Sequence, residues 1–520
     1  MKGSKKMFKK IAIVLSCLLL VMSVSGCGPK DSKTSADGKL SYWVKLNPNI
    51  AMDYSNYGDT PYGKALQEQS GTEIEFIHPS GSGILESLNI LLASGDLPDI
   101  IEYTWFNYAG GLGKLYQEGL IVDLTDRLAK DAPAYNKYLK EHEDVKDMIK
   151  SNDKILGFMA IAEDKAMATT AGLIIREDWL EDLGLEMPET MDEYYNVLKA
   201  FKEEKGAKVP LSANIISLST WGAFCGAYGT SMAHFVDNGK VVYGPQLPQF
   251  KEYLKEMNKW YSEKLLDNNF ATIDQSTIDS NILNGFSGLS GGAAGSGIGV
   301  YNATAKSNGS NARFVGSPYP VLNKGDKPMF GHFNSVVSGT GAVISKNSNN
   351  IDAAIKFLDW GYTDEGYVLH NFGVEGVSHT VVDGKYIYTE DITNNKEGLS
   401  MPQSMGRHLR AANAGPFIQS LGYMEQYYAT EEQQKSWKTW SNTDASVHAL
   451  PNLTIPEDDL LELSTLQGDM DTYSIEMINS FIMGTTDIEY FDTFVKNLEQ
   501  MGADRITEIY QNAYDAQFAK

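Results

Sequence analysis

Short apolar runs alternate with apolar-periodic stretches over the first third of the chain. Leu40-Ser41-Tyr42-Trp43-Val44 reads as an opening strand, and residues 72–77 alternate as a second strand does. Between them, residues 63–70 have helical spacing. Residues 86–94 form a periodic helix that ends at Gly95, and Asp99-Ile100-Ile101 is then a short buried strand. The pattern recurs further on. Residues 171–176 read as a strand that leads into a helix over 177–183. Thr190 and Glu193 form a capping box for a helix running through Phe201. Residues 249–264 carry a stripe of Tyr253, Met257, Trp260 and Tyr261, and helices are predicted over 352–362 and from 460 to the end. Strand–helix alternation predicts an α/β fold with a mostly parallel sheet and helices on both faces. Such sheets bind ligands beyond the carboxyl ends of their strands.

The first residues depart from this pattern. Lys2, Lys5, Lys6, Lys9 and Lys10 make a basic start, and an apolar core follows over 11–22, shorter than the ~20 residues of a bilayer span. Val24-Ser25-Gly26-Cys27 then resembles a bacterial lipobox, whose cysteine thiol takes a diacylglyceryl group and becomes the mature N-terminus. Residues 28–39, rich in Ser, Lys, Asp and Gly, have the composition of a flexible tether. These features predict a signal peptide over 1–26, a tether over 27–39, lipidation at Cys27 and a body on the outer face of the cell membrane.

Composition narrows the class. In 520 residues, 42% are hydrophobic and 21% charged, as in a globular protein. The formal net charge is -23, and loss of the five leader lysines takes it to -28. Such a surface repels nucleic acid, which needs a basic footprint. Besides Cys17 and Cys27 there is only Cys225, so an internal disulfide of the body and a multi-cysteine zinc site are excluded. Cys225 reads as a small buried hydrophobe.

Several elements, in order, carry a family resemblance. Leu92-Ala93-Ser94-Gly95-Asp96-Leu97-Pro98-Asp99-Ile100 resembles the "ASGDLPDI" element of extracellular solute-binding proteins of ABC importers. Arg176-Glu177-Asp178-Trp179-Leu180, with Leu183-Gly184-Leu185, Pro188 and Thr190, is similar to their "RKDWLDKLGL-x-x-P-x-T" element. Asn371-Phe372-Gly373-Val374-Glu375-Gly376-Val377-Ser378 resembles "NFGIEGVSY", with His379 where tyrosine is usual. Phe481-Ile482-Met483-Gly484 and Ala513-Tyr514-Asp515 match the C-terminal end. The resemblance is strongest to large lipid-anchored, oligosaccharide-type members, including alginate-binding proteins and LipO-like lipoproteins. It implies a two-lobed, periplasmic-binding-protein-like fold (type II), with each lobe a sheet flanked by helices and a ligand cleft between them. The implied division is 40–168 plus 320–376 for lobe 1, and 169–319 plus 377–520 for lobe 2. The implied function is capture of an oligosaccharide and its delivery to the transmembrane permease subunits of an ABC importer, by a monomer with no catalytic residues and no cofactor. Two rival readings are a membrane-anchored glycoside-cleaving enzyme and a sensory lipoprotein without an import role. Relatives with calcium place an acidic loop similar to "DPDGNGKADE" after the helix that here ends near Phe201. Residues 202–210 lack its alternating oxygen ligands, so no metal is expected there.

Sugars present flat C–H faces and rings of hydroxyls, which aromatic and polar side chains match. The candidate ligand-binding residues are Trp43, at the end of the first strand; Trp105 and Asn107, after the strand that follows Pro98; Trp221, at a loop-to-helix entry; and Tyr301, after a glycine-rich stretch. Arg176 either contacts ligand or makes a buried ion pair. Glu375, in a glycine-flanked turn, has a structural or a ligand role. Trp179, at helical spacing among apolar residues, is read as core. The stretch "SGLSGGAAGSGIGV" at 287–300 has no following Gly-Lys-Ser/Thr. Its Gly288-Leu289-Ser290-Gly291-Gly292 match to a nucleophile elbow is read as chance. It is read instead as backbone passing close to a ligand or bending near a lobe crossing.

Overall fold

The computed structural model describes residues 39–79, 83–108, 110–151 and 153–518. The leader, the Cys27 lipidation site and all but the last residue of the tether lie outside them. Among the described residues there are fourteen strands: β1 (Leu40–Trp43), β2 (Ile74–Ile77), β3 (Ile100–Thr104), β4 (Phe158–Ala162), β5 (Ala171–Arg176), β6 (Leu211–Ser212), β7 (His234–Asp237), β8 (Lys240–Tyr243), β9 (Leu289–Ala293), β10 (Phe314–Ser317), β11 (Val337–Ile344), β12 (His379–Val382), β13 (Lys385–Tyr388) and β14 (Ile418–Gln419). They build a six-stranded sheet in the order β14-β4-β11-β3-β1-β2, a four-stranded sheet in the order β10-β5-β9-β6, and two hairpins.

Each large sheet has a single reversed strand and is otherwise parallel in direction, in keeping with the expected mostly parallel arrangement. β11 runs antiparallel to β3 and β4, and β5 runs antiparallel to β9 and β10. The reason is topological: β5 and β11 each begin where the chain arrives from the other sheet, so each runs away from the crossing while its neighbours run toward it. The expected division differs at one point. Residues 377–520 were assigned to lobe 2, yet β14 pairs with β4 at the edge of the first sheet.

Each sheet has its own core. The first packs Tyr42, Trp43, Ile100, Ile101 and Phe158 against Phe357 and Leu358 of the helix Ile351–Trp360. The second packs Leu173, Ile175 and Val315 against Tyr253, Met257 and Trp260 of the predicted stripe, now the helix Pro248–Ser262, and against Phe481 and Phe494. A third cluster covers the other face of the second sheet, where Ile174 and Phe314 meet Tyr428, Trp437 and Trp440. Alternate residues of β5 therefore enter different cores, which explains its unbroken apolar run. Thr190 and Glu193 close the predicted capping box at the helix Met191–Glu203. Trp179 is buried in the second core, as its spacing predicted.

The glycine-rich stretch forms a strand and a helical turn. Residues 289–293 are β9, and a π-helical turn, Ala294–Gly299, follows. Its glycines make room for the protein's own interior: a Cβ on Gly291 would fall 2.9 Å from that of Ser217, and one on Gly292 would fall 2.7 Å from Cδ1 of Ile174. Ser290 is buried within the strand, on no elbow.

A closer approach joins the second sheet to the helix Glu431–Ser441. Gly172 of β5 lies against the indole of Trp440, whose Nε1 donates to the Ser317 carbonyl at 3.1 Å. Gly172→Ala should lower stability by about 1–3 kcal/mol through overpacking and alter the near-UV dichroism of the tryptophans. Urea unfolding measures the first effect, and an unchanged midpoint would contradict the contact.

Candidate functional site

The two sheets point the same kind of edge at each other. Asn334 N–H donates to the Ala168 carbonyl at 2.8 Å, tying two crossing segments side by side. β11 starts just beyond, and its register pairs Thr340 with Thr104, so the carboxyl end of β3 lies at the crossing. β1 and β2, parallel to β3, end on the same side. In the second sheet Ala171 pairs with Ala293, which brings the carboxyl end of β9, and of its parallel neighbour β6, to the crossing. Both sheets thus present strand carboxyl ends toward the shared crossing, where α/β sheets collect ligands.

Three grooves lie along this region. One is walled by the first body alone: Lys45 and Asn47 after β1, Thr104 at the end of β3 and Asn107 after it, Thr340 and Asn413. A second runs between the bodies, from Phe106 and Lys150 to Asn452, Thr454 and Gln517. Its cavity volume is about 310 Å³, at the lower end of the ~300–1,000 Å³ of small-molecule clefts. The third sits on the crossing segments, between Thr170, Asn334, Ser338 and Gln419.

The predicted residues divide between interior and surface. Trp43 and Trp105 are buried in the first core, and Trp105 Nε1 donates to the Gly341 carbonyl at 2.9 Å. Tyr301 is buried, and its hydroxyl donates to Asp279 at 2.5 Å. Arg176 is buried and forks onto Asp178 at 2.7 and 2.6 Å, with its guanidinium 4.4 Å over the Trp179 ring. Burial opposes the Asp178 anion, and the Arg176 bonds overcome it and hold the carboxyl below its usual range. Of the two roles left open for Arg176, the ion pair is the one these contacts describe. Glu375 is exposed on the turn after the helix Asp364–Phe372 and lines none of the three grooves. Asn107 is exposed and lines two of them. Trp221 ends the π-helical turn Ser217–Trp221 beyond the carboxyl end of β6; it is half-buried and lines none of the three grooves. Half-buried Phe330 packs edge-on against Phe235, with ring centroids 5.2 Å apart.

Beneath the first-body groove lies a buried polar cluster that pattern reading missed. Arg410 reaches from the segment after the helix Met401–His408 to pair with Glu102 of β3. Glu102 also accepts from the Tyr42 hydroxyl at 2.5 Å, and Arg410 Nη1 donates to the Tyr57 hydroxyl at 3.2 Å. Burial disfavours the Arg410 cation, but Glu102 and the surrounding tyrosines outweigh it and raise its pKa. Burial and the neighbouring Glu102 also push the Tyr42 hydroxyl well up. Through this anchor, Arg410 holds the loop that carries Asn413 and Ala414 into the groove. Asn413 accepts from the Asn47 amide, while its own Nδ2 has no partner. At the crossing, Thr170 N–H donates to Nδ1 of His332 at 3.3 Å, and burial pushes the ring's pKa down to about 4, so the imidazole is a neutral acceptor at pH 7. Cys225 is buried, and its thiol is pushed up to about 12 by desolvation, which makes it inert. Among the described residues no group of His, Cys, Asp and Glu is arranged to hold a metal ion.

Comparison with known proteins gives consistent results. Residues 56–368 match the family described as bacterial extracellular solute-binding protein. The chain is 24% identical over 518 residues to Lipoprotein LipO of Bacillus subtilis (strain 168), covering 96% of this chain and 97% of that one. It is 24% identical over 559 residues to the fructooligosaccharide ABC transporter substrate-binding protein FusA of Streptococcus pneumoniae serotype 4, covering 98% of each. Among solved structures, an HMO-binding, ABC-transporter-associated solute-binding protein from Bifidobacterium longum infantis superposes with a TM-score of 0.75 at 20% identity, over 93% of this chain and all of that one.

Removing one partner of the buried pair should be severe. Arg410→Met leaves Glu102 buried without its cation and should destabilise the protein by about 3–5 kcal/mol in urea unfolding. Arg410→Met with Glu102→Gln should lose less than the sum of the two single losses. Strict additivity would show that the pair is not coupled.

Proposed function

The chain belongs to the bacterial extracellular solute-binding proteins, and we propose that it captures an oligosaccharide between its two bodies and hands it to the permease of an ABC importer. The observation that carries this reading is the convergence of strand carboxyl ends from two separate cores on one crossing region lined by Asn, Thr and aromatic side chains. A ligand that touches both walls favours the closed arrangement by its differential contacts, and closure is what a permease can recognise. Trp221 supplies a stacking face for a sugar ring, and Asn107 supplies amide bonds to hydroxyls. The likeness to a fructooligosaccharide receptor and an HMO receptor supports a carbohydrate ligand. In keeping with its family, the protein is read as a receptor that binds its ligand without turnover. It acts as a monomer, without a cofactor or a bound metal.

A lipid anchor at Cys27 fits the same role. Among the described residues no helix is long and apolar enough to cross a membrane. Diffusible receptors need retention at the cell surface, and acyl chains supply it.

Two measurements test these readings. Titration with an oligosaccharide panel should give binding by one class, with chain length unchanged after incubation. Trp221→Ala should weaken binding about ten-fold or more while leaving the unfolding midpoint close to wild type. Trp105→Ala should instead lower the midpoint, since it empties a core site. Binding unaffected by Trp221→Ala would remove that residue from the site, and release of shorter sugars would replace a receptor with an enzyme. In cells, Cys27→Ser should move the protein from the membrane fraction to the soluble fraction; persistence at the membrane would refute the anchor.

A further inference from the structure

We propose that the ligand is an acidic oligosaccharide, one whose sugar units carry carboxylates; this rests on the oligosaccharide reading above and narrows it. The chain as a whole is strongly negative, with 67 Asp and Glu against 44 Lys and Arg. The grooves reverse that balance. Among the described residues that line the three of them, Glu102 is the only carboxylate, and its oxygens are taken by Arg410 and the Tyr42 hydroxyl. Three cations line the same grooves: Arg410, bound to Glu102; Lys150, which donates to Asp147 at 2.8 Å; and Lys45. Lys45 is exposed at the carboxyl end of β1 and has no ion pair or hydrogen bond among the described residues.

The polar lining has the complementary chemistry. Lysine has three donors and no acceptor, and the asparagine amide adds two more donors. Asn413 lines the same groove as Lys45, and its buried Nδ2 is without a partner. A neutral sugar offers hydroxyl donors that suit carboxylate acceptors, and this groove has no free carboxylate. A sugar acid offers acceptor-only oxygens, which suit ammonium and amide donors and form the stronger charge-assisted bonds. The surrounding negative surface repels such a ligand at long range, so a cleft that must admit it has to be cleared of carboxylates locally. Lys45 is accordingly a specificity-determining residue, and Lys150 is a second contact once Asp147 yields it.

The test uses the full chain and matched probes: oligomers of galacturonate, mannuronate and guluronate, each beside its carboxyl-reduced counterpart, with fructo-, xylo- and galacto-oligosaccharides as neutral sugars. Binding is read by titration calorimetry at low and at moderate salt. At least one acidic oligomer should bind about ten-fold or more tightly than its reduced form, and more weakly as salt rises. Lys45→Gln should erase most of that preference while leaving the unfolding midpoint unchanged. If a neutral sugar binds and no acid exceeds its reduced form, the charge proposal falls and the oligosaccharide reading stands. If an acid is preferred but Lys45→Gln leaves the preference intact, the assignment to Lys45 is wrong. If no sugar of either kind binds, the oligosaccharide reading falls, and this proposal falls with it.

Discussion

Three passages of the chain between two cores govern the rest of the structure. The first leads from β4 to β5, the second from β10 to β11, and the third from β14 to the helix that packs on β10. Each passage sets the direction of the strand it delivers, and those directions turn the carboxyl ends of both sheets toward the same region. Beneath the passages, the third apolar cluster joins Phe372, Phe417 and Tyr423 to Ile174 and Phe314, so the linkage is packed as well as covalent. The grooves follow from this: they are the space left where two sheets meet end to end.

Local features were legible in the sequence to the extent that their causes are local. The capping box at Thr190 and Glu193, the Tyr253–Trp260 stripe and the buried Trp179 all depend on residues within a few turns of one another, and all are present. The family and its two-lobed α/β class were likewise readable from short elements in order. The reversal of β5 and β11 was not, because it depends on which body the chain has just left. The edge strand β14 is two residues long and has no periodicity to detect.

The candidate site was less legible for a related reason. Aromatic type alone does not separate a surface residue from a core filler: Trp43 and Trp105 pack inside, while Trp221 is half-buried. Arg176 faces a carboxylate two residues along its own chain. By contrast, Arg410 meets a partner 308 positions away, and Asn413 meets one 366 positions away. Pairings at that separation leave no mark in local pattern. The glycines of β9 are open to two readings, since space needed for Ser217 and Ile174 resembles space left for a ligand.

The late arrival of β14 bears on biogenesis. Until residue 419 is available, β4 has an open edge of apolar residues, the arrangement most prone to pairing with another chain. The first sheet is therefore completed only when residue 419 is available, and its pairings span most of the polypeptide. Closure over such a separation is slow, because the loop entropy is lost before the contacts that offset it form.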